Sequence, residues 1–416
     1  MKQKHKTVFI SAVIGNFMEY YDFTVYGVFS VIIGKTFFPV SSIFGSLAIF
    51  AMGFITRPIG GIVFGYIGDK YGRRISLICS MLGMMIPTFG IGFLPSYDNI
   101  GYLAPVLLGI MRLMQGLCLS GEGAGAAIFV LEHYGNFRPG LITGIVHGAN
   151  IAGTIFASIV GIIIESYFHN IEFAWRAAFI LGGLMGIIGI YFRIRVSETP
   201  IFKEMLRKKQ TLKMPLFHVI QVARGSMLLA LFIGGVVGSV VYLTKIYVNI
   251  FYQEVMGYDN ATALSYLFYA NFILMITTIF FGYLSDIVGK VIITTLATMS
   301  VLILFIPIFI MMSSNSYFCQ YTAITLLASI GGAVSGTAYV FTISLFKPEE
   351  RFTGVAFSYN LGVAIFGGTT PLVSKWLTIY TSVHYAPAFY FMLIAAIFLV
   401  VLQNKYVKNI RSWMKC

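Results

Sequence analysis

Apolar runs of twenty residues or more follow one another along the entire chain, and no other feature limits its fold as severely. Twelve can be delimited, at about 8–34, 43–66, 75–94, 101–131, 140–165, 173–194, 223–248, 261–284, 291–312, 317–345, 353–378 and 385–406. At about 1.5 Å of rise per residue, such runs span the ~30 Å hydrocarbon core of a bilayer as helices. Charged residues are only 10% of the 416 and hydrophobic ones 58%, too little charge to clothe soluble domains. Twelve crossings of roughly 25 residues leave about 116 for connections, so no sizeable extramembrane domain is expected. The chain therefore reads as an all-α integral membrane protein of twelve transmembrane helices.

The net charge of +13 reports orientation. With the N-terminus inside, only seven of the 28 basic residues (Lys35, Arg57, Arg112, Arg176, Arg224, Lys245 and Lys375) fall away from cytoplasmic loops and termini. Basic residues mark the cytoplasmic side, so both termini are expected there, in a multi-pass protein of the cell's inner (plasma) membrane. The same dispersal argues against nucleic acid, which would need a compact basic patch with interleaved aromatics. Lys2, Lys4 and Lys6 ahead of an apolar run imitate a signal peptide. That run is too long, carries Glu19 and Asp22 and lacks a small-x-small site, so it reads as an uncleaved first helix. Cys79, Cys118, Cys319 and Cys416 have neither metal-ligand nor disulfide-framework spacing. No metal or cofactor is expected.

The longest connection, 195–222, holds Arg207-Lys208-Lys209 between Pro200 and Pro215. It reads as a cytoplasmic linker with a short helix on the inner leaflet, joining bundles at 1–194 and 223–416. An internal repeat supports that division. Gly65-Tyr66-Ile67-Gly68-Asp69-Lys70-Tyr71-Gly72-Arg73-Arg74 follows the second segment, and Gly282-Tyr283-Leu284-Ser285-Asp286-Ile287-Val288-Gly289-Lys290 follows the eighth. After the fourth and tenth come Glu132-His133-Tyr134-Gly135-Asn136-Phe137-Arg138-Pro139-Gly140 and Pro348-Glu349-Glu350-Arg351-Phe352-Thr353-Gly354. Two landmarks repeated in order imply two pseudo-symmetric six-helix bundles.

At these residues the sequence resembles the major facilitator superfamily, whose most specific short motif is G-x-x-x-D-x-x-G-R-R between helices two and three. Other stretches resemble its metabolite:proton symporters, which include proline/betaine, 2-oxoglutarate, citrate and shikimate carriers. These are Gly15-Asn16-Phe17-Met18-Glu19-Tyr20-Tyr21-Asp22-Phe23, Arg112 with Gln115-Gly116 and Gly121-Glu122, Trp175-Arg176-Ala177-Ala178-Phe179 and Glu198-Thr199-Pro200-Ile201-Phe202. Glu350-Arg351-Phe352-Thr353-Gly354 and Gly367-Gly368-Thr369-Thr370-Pro371-Leu372 complete the set. The resemblance implies alternating access, with the motif loop latching the outward-open state. Lys290-Val291 departs from the two arginines the pattern favours in the second loop. The long coiled-coil tail of some osmosensing members is also missing, so their form of osmotic gating is not expected.

Ionisable residues inside hydrocarbon are costly and are functional candidates by default. Glu19 and Asp22 lie roughly 16 and 21 Å into the first helix at about 1.5 Å per residue. They share a face with Asn16 and Tyr26. Arg112 sits at comparable depth in the fourth helix, and Arg57 lies closer to the cytoplasm in the second. Burial favours a neutral carboxylic acid and a nearby guanidinium favours the carboxylate. Asp22 or Glu19 can therefore bind a transported proton, with Arg112 or Arg57 as switchable counter-ion or substrate ligand. A permanent structural ion pair is the competing account. Lys245 and Lys375 are expected near outer helix ends, which would confine coupling to the first half. Asn271, Tyr339 and Asn360 are the candidate polar contacts of the second half, and His147 reads as a packing residue or a proton relay.

The expected cytoplasmic gate comprises Gly65, Asp69, Gly72, Arg73, Arg74, Glu122 and Asp286. Asp69 can accept helix N-terminal amides and pair with basic residues, the glycines permit close approach and a tight turn, and Arg73-Arg74 anchor at the inner leaflet. Glu122 either joins this group or packs. No nucleophile–base pair or clustered carboxylate set points to an enzyme, and no charged ring or filter to a channel. The expectation is a monomeric, lipid-embedded, proton-coupled importer of a small polar metabolite. The substrate is a proline/betaine-type zwitterion or a small organic acid, and a uniporter or antiporter of the same fold is the alternative.

Overall fold

The computed structural model describes residues 2–38, 45, 49, 52–135, 137–168, 171 and 173–413, without the side chains of 2–5 and 405–413. Positions 43, 44, 46–48, 50 and 51 of the second predicted segment, Asn136, Lys415 and Cys416 lie outside the described residues, as do the side chains of Lys2, Lys4, Lys405, Lys408 and Arg411.

Each of the twelve predicted segments has a helical counterpart among the described residues. The first is divided into α1 (Lys2–Val28) and α2 (Ser30–Phe37), and the second is described from α3 (Arg57–Lys70). Then come α4 (Arg73–Phe93), α5 (Leu103–Tyr134), α6 (Pro139–Phe168) and α7 (Arg176–Ile194). The linker holds α8 (Pro200–Arg207) and α9 (Pro215–Val222). Next are α10 (Arg224–Tyr242), α11 (Asn260–Val288), α12 (Lys290–Met312) and α13 (Tyr317–Ile343). The eleventh segment is divided into α14 (Arg351–Gly362) and α15 (Thr370–Thr381), and α16 (Pro387–Trp413) follows. Nine helical stretches among the described residues are long and apolar enough to cross a membrane.

Local chemistry starts several of these helices. Thr199 caps α8 by accepting the Phe202 amide at 3.2 Å, with Pro200 in the first helical position, where its missing N–H costs nothing. Asp259 caps α11 through the Thr262 amide at 3.1 Å. Gly72 and Gly289, which open α4 and α12, have φ of 126° and 107°, a region closed to residues with a Cβ. They occupy equivalent places in the two copies of the repeat.

Two compact units emerge. The first comprises Met1–Phe137, Ala149–Leu216 and Pro348–Phe357; the second comprises Arg138–Gly148, Phe217–Lys347 and Ser358–Cys416. In the first, α5 packs against α1, α3 and α4, and α7 against α1 and α4. Close backbone approach needs small residues: a Cβ on Gly60 would lie 1.9 Å from the Leu117 carbonyl oxygen. In the second unit α13 packs against α11 and α12 over a core that includes Tyr247, Phe251, Tyr266, Phe305 and Phe309. The run after α10 contains π-helical turns at Leu243–Tyr247 and Phe251–Val255, and a third, Val363–Gly367, interrupts the eleventh segment. Such turns leave carbonyls out of register with the α ladder and recur at functional positions.

Candidate functional site

Asp22 of α1 and Arg112 of α5 are both buried, and they are joined by two intervening side chains. Arg112 Nη1 donates to Gln115 Oε1 at 2.8 Å, Gln115 Nε2 donates to Thr88 Oγ1 at 2.8 Å, and Thr88 Oγ1 donates to Asp22 Oδ2 at 3.0 Å. Gln115 is one turn from Arg112 on the same helix face, a neighbour the sequence could have offered. Thr88 of α4 carried no signal, because threonines in apolar helices commonly bond their own i−4 carbonyl. Thr88 has that contact too, with Met84 O at 2.8 Å.

The two arginines share an aromatic surface. The Arg112 guanidinium lies 4.1 Å from the Tyr26 ring centroid and 5.3 Å from that of Phe23, while Arg57 lies 5.1 Å from Phe23 and 4.5 Å from Phe54. Cation–π contacts of this kind are worth up to about 2 kcal/mol when desolvated. Asn16, also buried, donates to the Ala12 carbonyl at 3.1 Å, and its Oδ1 has no hydrogen-bond partner among the described residues. Glu19, Asp22 and Glu122 all line one cavity of about 20 Å³ walled by Met18, Met81, Met84 and Met85, room for about one water molecule. Glu122 is thereby separated from the predicted gate. It pairs with the buried Arg193 of α7 and accepts from Ser80 at 3.3 Å, joining the carboxylates of α1.

The motif loop builds a second polar cluster. Asp69 accepts the amides of Phe352 at 3.1 Å and Thr353 at 2.8 Å, capping the start of α14, and pairs with Arg73 at 3.2 Å. Arg73 is fully buried, so it is not a leaflet anchor as expected: an unpaired guanidinium at that depth would be prohibitive, and Asp69 and Glu132 hold it. Glu132 also binds Arg351 at 3.1 Å and accepts from Thr199 at 2.7 Å. The Arg74 side chain reaches the Arg193 and Ile194 carbonyls, and its amide donates to Glu198 at 3.0 Å. Gly65 and Gly68 are required by proximity: Cβ atoms there would lie 2.7 Å from Thr353 Cα and 2.6 Å from the Phe352 ring. Glu132, Arg351 and Glu198 were legible only as parts of motifs, not as members of this network.

In the second unit Asp286 repeats the capping. Its two oxygens accept the Gly140 amide at 2.7 Å and the Leu141 amide at 2.9 Å, at the start of α6. His147 Nδ1 lies 2.9 Å from the Ser335 carbonyl, which makes that nitrogen the donor, and its ring lies 4.9 Å from Tyr339. The Tyr339 ring also packs, tilted by 50°, against that of Tyr359 at 5.5 Å. Asn271 donates to the Leu267 carbonyl of its own helix, and Asn360 is buried. Lys245 corrects an expectation. It is 8% exposed, set in the first π-helical turn, and not at a solvated helix end. Lys375 is exposed and pairs with Glu254 at 2.8 Å. Among the described residues no group of three or more His, Cys, Asp or Glu is placed to hold a metal ion.

Helices packed through small residues around buried acids and bases form the build of a membrane transporter. A family profile described as the Major Facilitator Superfamily matches residues 12–367. A candidate proline/betaine transporter of Staphylococcus aureus (strain COL) is 33% identical over 412 residues, 96% of this chain and 88% of that protein. The glycine betaine/proline/ectoine/pipecolic acid transporter OusA of Dickeya dadantii (strain 3937) is 31% identical, covering 93% of this chain and 80% of its own. Among solved structures, the proton:xylose symporter XylE bound to 6-bromo-6-deoxy-D-glucose superposes with a TM-score of 0.73 at 14% identity, over 96% of this chain and 94% of that one. This chain belongs to the major facilitator superfamily and has its twelve-helix fold.

Proposed function

We propose that the protein imports a small zwitterion of the proline or betaine kind together with a proton, by alternating access of bundles at 1–194 and 223–416 about the 195–222 linker. The observation that carries this reading is the Asp22–Thr88–Gln115–Arg112 chain. A carboxyl group buried beside an arginine, yet held apart from it by neutral groups, can gain and lose a proton without collapsing into a permanent ion pair. Support for a zwitterion comes from the names of the relatives and from the need of such a substrate for both signs of charge.

Asp22 is the proton acceptor in this scheme and Glu19, on the same cavity, the second carboxylate. Arg112 and Arg57 meet the substrate carboxylate or act as counter-ion, Asn16 and Tyr26 complete the first-half surface, and Asn271, Tyr339 and Asn360 supply the second. Gly65, Asp69, Gly72, Arg73, Arg74 and Asp286 form the gate, and Glu122 belongs with the carboxylates of α1. The orientation is both termini cytoplasmic in the inner membrane, supported by the basic-residue count, and the working unit is the monomer.

Proteoliposomes with an imposed pH gradient test the proposal. Labelled proline or glycine betaine should accumulate, and the accumulation should collapse with the gradient. Equilibration indifferent to the gradient would indicate a uniporter. Asp22→Asn should lose accumulation while keeping exchange, and full gradient-driven accumulation by that variant would remove Asp22 from the scheme.

A further inference from the structure

We infer that Thr88 is a positioning residue for proton coupling: its hydroxyl partners Asp22 Oδ2 in both protonation states and ties that carboxyl to Arg112. The inference rests on the reading of Asp22 as the proton site.

Thr88 Oγ1 carries one proton and lies within reach of two acceptors, Asp22 Oδ2 at 3.0 Å and Met84 O at 2.8 Å. It also receives Gln115 Nε2 at 2.8 Å. A hydroxyl is one donor with two acceptor lone pairs. With Asp22 ionised, the hydroxyl proton points at Oδ2, and Thr88 accepts from Gln115. When Asp22 gains a proton, that O–H donates to Thr88 Oγ1, and the hydroxyl proton turns to the Met84 carbonyl. Only a torsion changes; no covalent O–H bond of Thr88 breaks, and the one proton gained resides on Asp22. A carboxyl buried in both states gains from such a partner, because leaving that oxygen or its O–H unpaired in low dielectric costs free energy.

The direction of the chain is fixed by its far end. Arg112 can only donate, so the Gln115 face toward it must be Oε1, which leaves Nε2 toward Thr88. Substrate drawing Arg112 away would release the Gln115 amide and weaken its donation to Thr88, so arginine movement and Asp22 protonation are mechanically linked. Other charged or titratable groups surround Asp22 as well: Glu19 from α1 and Glu122 from α5 line its cavity, and the Tyr21 ring lies near it beside Gly182. Arg112 of α5 reaches it through Gln115 and Thr88, and Arg193 of α7 stands behind Glu122, while Arg57 of α3 meets Phe23 and Tyr26 meets Arg112. The wall from α4 consists of Thr88 and methionines.

The experiment is the pH profile of initial proline uptake in proteoliposomes for wild type, Thr88→Val, Thr88→Ser and Asp22→Asn. The midpoint does not depend on how much protein is active, so partial loss of fold cannot imitate a shift. Thr88→Val removes the hydroxyl at nearly constant volume and should move the midpoint by about one pH unit, the tenfold change in proton affinity expected for one charge-assisted hydrogen bond. Thr88→Ser should restore it. If Thr88→Val gives no measurable uptake, Thr88→Cys, a weak donor of similar size, should show the shift. A wild-type midpoint in the Val or Cys variant overturns the inference while leaving Asp22 in place. Retained accumulation by Asp22→Asn overturns the underlying reading itself.

Discussion

A single missing methyl group decides how Asp22 sits. A Cβ on Gly182 of α7 would lie 2.3 Å from Asp22 Oδ1 and 3.1 Å from both Thr88 Cγ2 and the Tyr21 ring. The nearest atom is the end of a side chain, so Gly182→Ala leaves the helix contact intact and forces the carboxyl to turn. Overpacking of this kind costs about 1–3 kcal/mol. Uptake should fall on the order of tenfold, since Thr88 no longer meets Oδ2, while the amount of protein in the membrane stays near normal. Wild-type uptake by Gly182→Ala would show that the carboxyl geometry does not matter. Lys245 makes the opposite experiment possible. Lys245 is buried but not alone, and removing one partner of a buried polar contact is destabilising, so Lys245→Met should lower the melting temperature in detergent. If the buried lysine serves transport, the same variant should lose uptake. A variant that melts earlier and transports normally would make Lys245 structural. Such charges stood out in the sequence because hydrocarbon makes them expensive. Thr88 did not, because a threonine serving its own helix and one serving Asp22 look alike until the fold brings α4 beside α1.

Whole elements were more legible than their interiors. Long apolar runs announced each of the twelve segments, yet the π-helical turns at Leu243–Tyr247, Phe251–Val255 and Val363–Gly367 leave no trace in hydropathy, since one extra residue per turn alters neither length nor composition detectably. The linker illustrates the same limit. Its prolines and basic cluster marked a connection, but the buried Phe202 and Met205 of α8 and the Glu132–Thr199 bond tie it to the motif loop. Glu198 gives that junction a pH dependence. Burial pushes its carboxyl above the ordinary range, outweighing the Thr199 and Arg74 amides and the charge of Arg73, and Glu132 adds to the upward push. A carboxyl that binds its proton more tightly when folded contributes stability below its unfolded value of about 4.3, and that contribution is lost as pH rises through the higher folded value. The melting-temperature advantage of wild type over Glu198→Gln should therefore shrink on going from acid to neutral pH. A gap that widens instead would mean the ionised form is the one the junction favours.

At the scale of the molecule, the repeat predicted two copies of one device, and the copies turn out unequal for a reason visible in the sequence. Asp69 and Asp286 each accept two consecutive amides at the start of a helix, so each neutralises donors that would otherwise be orphaned. Asp69, however, is fully buried and paired with Arg73, which continues to Glu132 and Arg351. Four residues after Asp286 stands Lys290, and Asp286 itself is only partly buried. Losing a cap alone costs about 1 kcal/mol, whereas breaking one member of a buried ion pair costs about 3–5 kcal/mol by stranding the other. Asp69→Asn, which leaves Arg73 short of a carboxylate, should therefore destabilise the purified protein several times more than Asp286→Asn. Equal losses from the two single variants would mean that the amide contacts, common to both copies, carry the energy and the buried pair adds none. The departure at Lys290-Val291 would then have no bearing on how the two loops differ.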